Sequence, residues 1–110
     1  MPPRTRFAPS PTWAPHIWHL RTAMYAWLEA KKNGGIFFMR LEDTDQERFV
    51  AWSADILVDC IKWIGIEPDE WFMGENIPEK WEYWPYVQSK RKDLYRHYAL
   101  ELVEKWAAFY

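Results

Sequence analysis

The most constraining feature of this chain is a proline-rich turn that leads directly into a helix flanked by histidines. The turn spans residues 6–19 and carries Pro9, Pro11 and Pro15. Proline fixes φ and removes a backbone donor, so this stretch cannot pair as the centre of a sheet. A short segment, residues 5–8, overlaps the start of this stretch and is interpreted as a strand. A stiff connection between strand and helix is where a doubly wound domain binds a nucleotide phosphate.

The segments that follow predict a βαβ unit in an α/β fold. Residues 17–32 predict an amphipathic helix that ends at Asn33-Gly34-Gly35, with its apolar face formed by Ile17, Leu20, Met24, Trp27 and Leu28. The continuous apolar run at 36–41 is typical of a buried parallel strand. Two more helices are predicted. The first spans 53–64, with Ser53 as its N-cap and Ile56, Leu57, Cys60, Ile61 and Ile64 on one face. The second follows Ser89 and runs to about Trp106, with Tyr95, Tyr98, Ala99, Leu102, Val103 and Trp106 on its inner side.

Composition narrows the class of protein. A chain of 110 residues forms one domain at most. Its net charge of −2 argues against a strongly basic nucleic-acid arm. Cys60 is the single cysteine, which excludes an internal disulfide and a cysteine zinc cluster and predicts a small apolar side chain in a helix core. No secretory segment and no apolar run of about 18 residues is present, so we expect a cytoplasmic protein with no membrane partner.

Two further stretches are candidate functional segments. The polar cluster at 42–48 follows the buried strand, at the sheet edge where α/β proteins bind ligands. Residues 67–85 form a long aromatic loop that suggests function or disorder. Its aromatic side chains predict cover for a core, with base stacking as the alternative; the stripe consists of Trp71, Phe72, Trp81, Tyr83, Trp84 and Tyr86.

In their order and spacing, several segments resemble glutamyl-tRNA synthetase, a class I aminoacyl-tRNA synthetase. They are Arg6-Phe7-Ala8-Pro9-Ser10-Pro11-Thr12, His16-Ile17-Trp18-His19, Arg21-Thr22-Ala23, Leu41-Glu42-Asp43-Thr44-Asp45-Gln46-Glu47-Arg48, Lys62-Trp63-Ile64-Gly65-Ile66 and Pro85-Tyr86-Val87-Gln88-Ser89. The resemblance covers essentially the whole chain. It implies that residues 1–110 form one partial Rossmann-like domain, the first half of the family's catalytic domain, which continues well past Tyr110 and holds a second signature loop.

Tryptophan stands at several positions where the family usually has glycine, namely Trp13, Trp18, Trp52, Trp71, Trp84 and Trp106. One replacement type repeated in this way predicts an engineered or computationally altered minimal fragment. At Trp18 the family's glycine lets adenine lie close to the backbone. We therefore predict that the Trp18 indole fills the adenine site and weakens ATP binding.

The resemblance implies the formation of glutamyl-adenylate from glutamate and ATP, followed by transfer to the tRNA acceptor end. The implied catalytic residues are His16 and His19. The implied glutamate-binding residues are Arg6, Ser10 and Glu42, and the implied ATP-binding residues are Ala8, Pro9, His16, Trp18 and His19. Asp45 and Arg48 resemble the segment that approaches tRNA. Magnesium is expected as part of the ATP substrate, and no structural metal is expected.

Simpler interpretations stand beside these roles. The histidines are alternatively surface residues at a helix N-terminus, and Arg6 and Glu42 an ordinary ion pair at adjacent strand ends. The Asp43-Thr44-Asp45 turn is favoured as a helix cap over a weak magnesium site. At the level of the whole chain, the alternatives to weak adenylate formation are a non-catalytic engineered scaffold and a residual acceptor-stem binding module. Exposed aromatic residues would favour self-association.

Overall fold

The chain folds around a two-stranded parallel sheet. A computed structural model describes residues 1–72 and 81–109. Strand β1 (Arg4–Phe7) pairs with strand β2 (Ile36–Met39), and Arg4 lies opposite Ile36 in the register. Helix α1 (Ile17–Lys32) connects the two strands. The predicted βαβ unit, its parallel pairing and the bounds of its helix are confirmed.

Two later segments lie along the outer edge of β2 without forming full strands. Glu70 bridges to Phe38, and Val87 bridges to Leu41, two residues beyond the end of β2. Backbone hydrogen bonds fix both contacts: the Met39 N–H donates to the Glu70 carbonyl at 2.9 Å, and the Leu41 N–H donates to the Tyr86 carbonyl at 2.9 Å. The predicted strand at 36–41 is therefore shorter than expected but is continued by these bridges.

Two helices follow β2. Helix α2 (Ala51–Trp63) begins two residues earlier than predicted, after Val50, which makes no side-chain capping bond. Ser53 is not its N-cap; it is buried in the first turn of the helix. The last predicted helix is divided into a single 3-10 turn (Gln88–Arg91) and helix α3 (Lys92–Glu104).

The core lies between the sheet, α1 and α2. Helix α1 approaches the strands through its alanines, Ala23 and Ala30, which are fully buried. Small side chains allow a close approach, and the Thr5 hydroxyl donates to the Ala26 carbonyl at 2.7 Å. The predicted apolar face of α1 is therefore wrong in part, since Ile17 is 69% exposed and two further members of that face are also exposed, Met24 and Leu28. Leu20 and Trp27 do pack against the core.

Two other expectations about burial are corrected. Helix α3 has no buried residue and, among the helices and strands of the described residues, contacts only the preceding 3-10 turn, so its predicted inner side is not an inner side here. Cys60 is half-buried rather than in the core, because Leu57 and Ile61 form the buried face of α2. Ile56, which was predicted on that face, is exposed.

A partly buried polar network joins β1 to the two segments that lie along the edge of β2. Arg4 donates to both carboxylate oxygens of Glu70, at 3.1 and 2.7 Å, and the Tyr86 hydroxyl donates to the same carboxylate. Burial of Tyr86 and its bond to Glu70 raise the pKa of the phenol well above its usual range. The aromatic loop is thus tied to β1 through Glu70. None of the helices in residues 1–72 and 81–109 is long and apolar enough to span a membrane.

Candidate functional site

An open cleft lies at the carboxyl end of β1, as expected for a parallel sheet. It has a volume of about 370 Å³, and its walls come from the end of β1, the proline-rich turn and the first turns of α1. Its lining residues are Arg6, Phe7, Ala8, Pro9, Ser10, Thr12, His19 and Thr22. The structure therefore brings together five predicted site residues, Arg6, Ala8, Pro9, Ser10 and His19. His16 and Trp18 do not line this cleft.

The proline-rich turn is held in place by three hydrogen bonds from other parts of the chain. The Glu42 N–H donates to the Pro9 carbonyl at 2.8 Å, and the Val50 N–H donates to the Pro11 carbonyl at 2.8 Å. The Ser53 hydroxyl donates to the Trp13 carbonyl at 2.5 Å. Prolines remove the donors that would otherwise tie such a turn internally, so its carbonyls are available to these neighbours. Ser53, predicted only as a cap, is a support of the turn.

The two histidines form a reciprocal cap at the start of α1. The His16 N–H donates to Nδ1 of His19 at 2.9 Å, and Nδ1 of His16 accepts from the Trp18 N–H at 3.4 Å. Because each Nδ1 is an acceptor, the proton of each neutral imidazole is on Nε2. The arrangement leaves two Nε2–H donors at a helix N-terminus whose first turn has no acidic residue, an environment suited to an anion.

Arg6 and Glu42 do form an ion pair at adjacent strand ends, but a loose one. Their closest atoms, Arg6 Nη1 and Glu42 Oε1, are 3.8 Å apart. The same Glu42 oxygen accepts a shorter bond, 3.2 Å, from Arg40, whose side chain is only 15% exposed. Arg40 was not singled out in the sequence, although its place immediately before the polar cluster is a signal that could have indicated it. Glu42 is therefore held by Arg40, while the Arg6 guanidinium stays accessible to a second anion.

The two aspartates of the polar cluster accept hydrogen bonds within the chain, but neither is the predicted helix cap, because α2 begins after Val50 without a side-chain capping bond. Asp43 is buried and accepts from the Ser89 N–H at 2.8 Å and from the Ser89 hydroxyl at 2.6 Å. Asp45 accepts from the Arg48 N–H at 3.2 Å and from Arg48 Nε at 2.6 Å. The side-chain bond from Arg48 holds the pKa of the Asp45 carboxyl below its ordinary value. Within the described residues no group of three or more His, Cys, Asp or Glu side chains is arranged to hold a metal ion.

The aromatic side chains fall into two groups. Phe72 and Tyr86 are buried, and Trp81 packs edge-on against Tyr86 and at 5.3 Å from Trp71, so these residues cover the core as expected. Tyr83 and Trp84 are about half exposed, at 51% and 54%. Residues 73–80 of the predicted loop lie outside the described part of the chain.

Trp18 lies on the outer surface at the start of α1. Its side chain is 62% exposed, its ring is nearly parallel to that of His16, and the Arg21 guanidinium lies 5.6 Å from the ring centre. The indole therefore stands beside the histidine cap rather than in the cleft that Arg6 and Ser10 line.

A family model described as tRNA synthetases class I (E and Q), catalytic domain, matches residues 3–110. The chain belongs to this family. It is 49% identical over 109 residues to a glutamate–tRNA ligase of Amoebophilus asiaticus, covering 99% of the chain and 20% of the relative. It is 50% identical over 107 residues to one of Clostridium botulinum, covering 97% and 21%.

Solved structures give the same family. A glutamate tRNA ligase from Elizabethkingia meningosepticum, solved in complex with its amino acid, superposes with a TM-score of 0.83 at 42% identity and covers 94% of the chain and 20% of that structure. A glutamate–tRNA synthetase from Elizabethkingia anophelis superposes with a TM-score of 0.82 at 42% identity, covering 92% and 19%. The two-stranded parallel sheet and its helices are thus a Rossmann-like fragment of a class I synthetase, and the chain spans about one fifth of the length of these relatives.

Proposed function

We propose that the chain binds glutamate and ATP and forms glutamyl-adenylate, the first half-reaction of a glutamate–tRNA ligase. The observation that carries this proposal is the cleft at the end of β1, which has a partly exposed, loosely paired arginine, Arg6, among its lining residues and histidine Nε2–H donors at a helix N-terminus nearby. Family membership supports the reaction class, and the relatives' printed names supply the amino acid and the tRNA.

Glutamate would be recognised through its two ends. The Arg6 side chain is 44% exposed and only loosely engaged by Glu42, so its guanidinium can clasp the side-chain carboxylate in a bidentate pair. Ser10 lies on the same wall and can add a hydroxyl hydrogen bond. Glu42, near the end of the neighbouring strand, would accept hydrogen bonds from the α-ammonium. This positive group would take the place of Arg6 beside the Glu42 carboxylate when Arg6 turns to the substrate.

ATP would be bound at the N-terminus of α1. The helix dipole favours phosphate there, and His16 and His19 would donate from Nε2 to phosphate oxygens. The glutamate α-carboxylate oxygen forms a bond to the α-phosphorus while the bond to the bridging oxygen breaks, and pyrophosphate leaves with Mg²⁺. This step needs alignment and charge stabilisation rather than a protein nucleophile. Ala8 and Pro9 would contact the nucleotide from the cleft wall. The reaction would take place in the cytoplasm, where its substrates are expected.

A second candidate function is binding of the tRNA acceptor end through Asp45 and Arg48. Arg48 is 74% exposed, but it already pairs with Asp45, which makes it a weak phosphate ligand until that pair opens. We expect RNA affinity to be low and strongly reduced by salt.

Glutamate-dependent ATP–pyrophosphate exchange tests the proposal directly. Arg6→Lys retains the charge but loses the bidentate geometry, so it should raise KM for glutamate while leaving KM for ATP unchanged. His16→Ala serves as the matched control against a contaminating synthetase, because it should lower the exchange rate of the chain itself. Exchange that is absent in the wild-type chain, or equal in the wild type and both variants, would refute adenylate formation. Salt-sensitive tRNA binding without exchange would instead favour the acceptor-stem module, and absence of both would favour the scaffold.

A further inference from the structure

We infer that Asp43 is a positioning residue that fixes Glu42 where it would receive the α-ammonium of glutamate. The role of Glu42 rests on the function proposed above, whereas the control of its position by Asp43 rests on contacts alone. Asp43 touches neither the cleft nor the proposed substrates, so it would act through its neighbour.

The Asp43 carboxylate is buried and fully engaged by one distant residue. The residue is 7% exposed, and both carboxylate oxygens accept from Ser89, which is 46 positions away in sequence. One bond comes from the backbone N–H and the other from the hydroxyl. Bonds of this kind, with a charged acceptor, are about twice as strong as neutral ones. They join the loop after β2 to the 3-10 turn that precedes α3.

The residue before Glu42 is tied to the same distant segment. The Leu41 N–H donates to the Tyr86 carbonyl, and the Leu41 carbonyl accepts from the Gln88 N–H, both at 2.9 Å. Residues 86–89 therefore hold the positions on both sides of Glu42. The Glu42 N–H itself donates to the Pro9 carbonyl at 2.8 Å. The backbone of Glu42 is thus clamped between the proline-rich turn and the 86–89 segment.

This clamp determines where the Glu42 carboxylate lies. That carboxylate is only 3.8 Å from Arg6 and 3.2 Å from Arg40, so a movement of about 1 Å changes which arginine it pairs with. Release of Asp43 would let the loop shift and Glu42 close on Arg6. The cation needed for the substrate side chain and the anion needed for its ammonium would then neutralise each other.

Amide hydrogen exchange measured by NMR tests the clamp without any ligand. Asp43→Ala should raise the exchange rate of the Glu42 amide by about tenfold relative to that of Ile36, an amide at the opposite end of β2. Asp43→Asn should return most of the way to the wild-type ratio, because its amide can accept from the Ser89 N–H and donate to the hydroxyl, although through weaker neutral bonds. Ser89→Ala, which removes only one bond and keeps the buried acceptor, should give an intermediate ratio and guards against a failure of Asp43→Ala to fold.

Tyr86→Phe is the matched control. It also removes a hydrogen bond from the 86–89 segment to a buried carboxylate, Glu70, but on the side away from Glu42. It should lower overall stability without changing the ratio of Glu42 to Ile36 exchange. An unchanged ratio in Asp43→Ala, or an equal change in Tyr86→Phe, would overturn the inference.

Calorimetric titration with glutamate and with ATP then links the clamp to the site. In metal sites, removal of a partner that orients a ligating side chain costs about 10–100-fold, and by the same logic Asp43→Ala should weaken glutamate binding by about tenfold and leave ATP binding unchanged. A wild-type chain that binds no glutamate would refute the proposed function, while the exchange ratios would still decide whether Asp43 holds Glu42. Glutamate binding that is equal in the wild type and Asp43→Ala would overturn the inference and leave the proposed function standing.

Discussion

Trp106 ends helix α3 in a backbone conformation that suits glycine, and replacing it by glycine should stabilise the helix. Its φ is 57°, in the left-handed region. The Trp106 N–H donates to the Val103 carbonyl at 3.0 Å and the Ala107 N–H to the Leu102 carbonyl at 2.9 Å. This pair of bonds is the Schellman motif, in which the residue after the C-cap is usually glycine.

The other two helices of the described chain end in the same motif and carry glycine at the equivalent position. Gly34 follows α1 with φ of 62°, and Gly65 follows α2 with φ of 77°. After α2, the Gly65 N–H donates to the Lys62 carbonyl at 2.9 Å and the Ile66 N–H to the Ile61 carbonyl at 3.1 Å. The chain thus contains its own reference for what Trp106 replaces.

The expected gain follows from backbone strain and side-chain exposure. A non-glycine residue in the left-handed region costs roughly 1–2 kcal/mol. Glycine returns about 0.5–1 kcal/mol of that gain through the greater freedom of the unfolded chain. The Trp106 side chain is 96% exposed, so its removal loses almost no buried area. We therefore expect Trp106→Gly to stabilise α3 by about 1 kcal/mol, equivalent to about 4 °C if the chain unfolds as a unit.

Because α3 contacts only the preceding 3-10 turn among the helices and strands of the described residues, the gain should be measured in the helix itself. A stabilisation of about 1 kcal/mol slows exchange through local opening by roughly fivefold, which the Ala107 amide reports. Far-UV circular dichroism in urea follows the whole chain. Trp106→Ala separates side chain from backbone, because alanine keeps the strain and should gain little. Gly65→Ala is the reciprocal control and should destabilise α2 by about 1 kcal/mol, since an added Cβ there meets no atom within 4 Å and the cost is purely conformational.

Equal effects of Trp106→Gly and Trp106→Ala would refute the reasoning, because they would place the effect in the indole rather than in the backbone. A destabilised Trp106→Gly would do the same, since it would mean that the exposed ring contributes more than the strain it accompanies.

Three further predictions follow from the site, the sheet edge and the surface. Trp18→Gly should tighten ATP binding measured by calorimetry, because glycine permits close approach of adenine to the backbone; unchanged affinity would contradict the predicted obstruction. Burial raises the pKa of the Asp69 carboxyl, but hydrogen bonds from the Phe37 N–H and from Lys31 outweigh it, so the pKa lies below its ordinary 3.8. The native state therefore binds fewer protons at Asp69 than the unfolded state, so this stabilisation is full above pH 3.8 and is lost as the pH falls through the lowered pKa. Asp69→Asn should flatten this part of the acid unfolding curve by less than about 1 kcal/mol, since the Lys31–Asp69 pair is partly exposed. An unaltered curve would exclude the pair as a contributor to acid stability. Met24 lies in an apolar groove of about 300 Å³ between α1 and the end of α2. Met24→Lys places a charge in this groove and should reduce concentration-dependent association in sedimentation velocity. Identical sedimentation of variant and wild type would show that the chains do not associate through this groove.

The elements that could be predicted from the sequence are those with local signals. Helix α1 was predicted at its observed bounds because Pro15 precedes it and Asn33-Gly34 ends it. Its buried face was not, because burial depends on which face approaches the sheet. Alanine carries a weak hydrophobic signal, yet Ala23 and Ala30 pack at the closest approach, while the stronger signal of Met24 belongs to an exposed face.

The site shows the same division. Arg6, Ser10 and His19 come together because they occupy one turn and its helix, a local arrangement that the sequence pattern specifies. The ties from Ser53 to Trp13 and from Ser89 to Asp43 join residues 40 and 46 positions apart. Serine near a helix start is normally interpreted as an N-cap whose hydroxyl oxygen accepts from a nearby backbone N–H, whereas both hydroxyls here donate to distant acceptors.

The tryptophans show why one replacement has more than one physical meaning. In the described part of the chain only Trp106 combines a side chain with positive φ. Trp18 and Trp52 lie in helices, where φ is negative and glycine would cost roughly 0.5 kcal/mol of helix stability. Glycine at Trp106 would thus be favoured by the backbone, whereas glycine at Trp18 would be favoured only by something that must come close to it. Opposite effects of the two substitutions on stability, with a gain in ATP affinity confined to Trp18→Gly, would separate a structural requirement for glycine from a functional one.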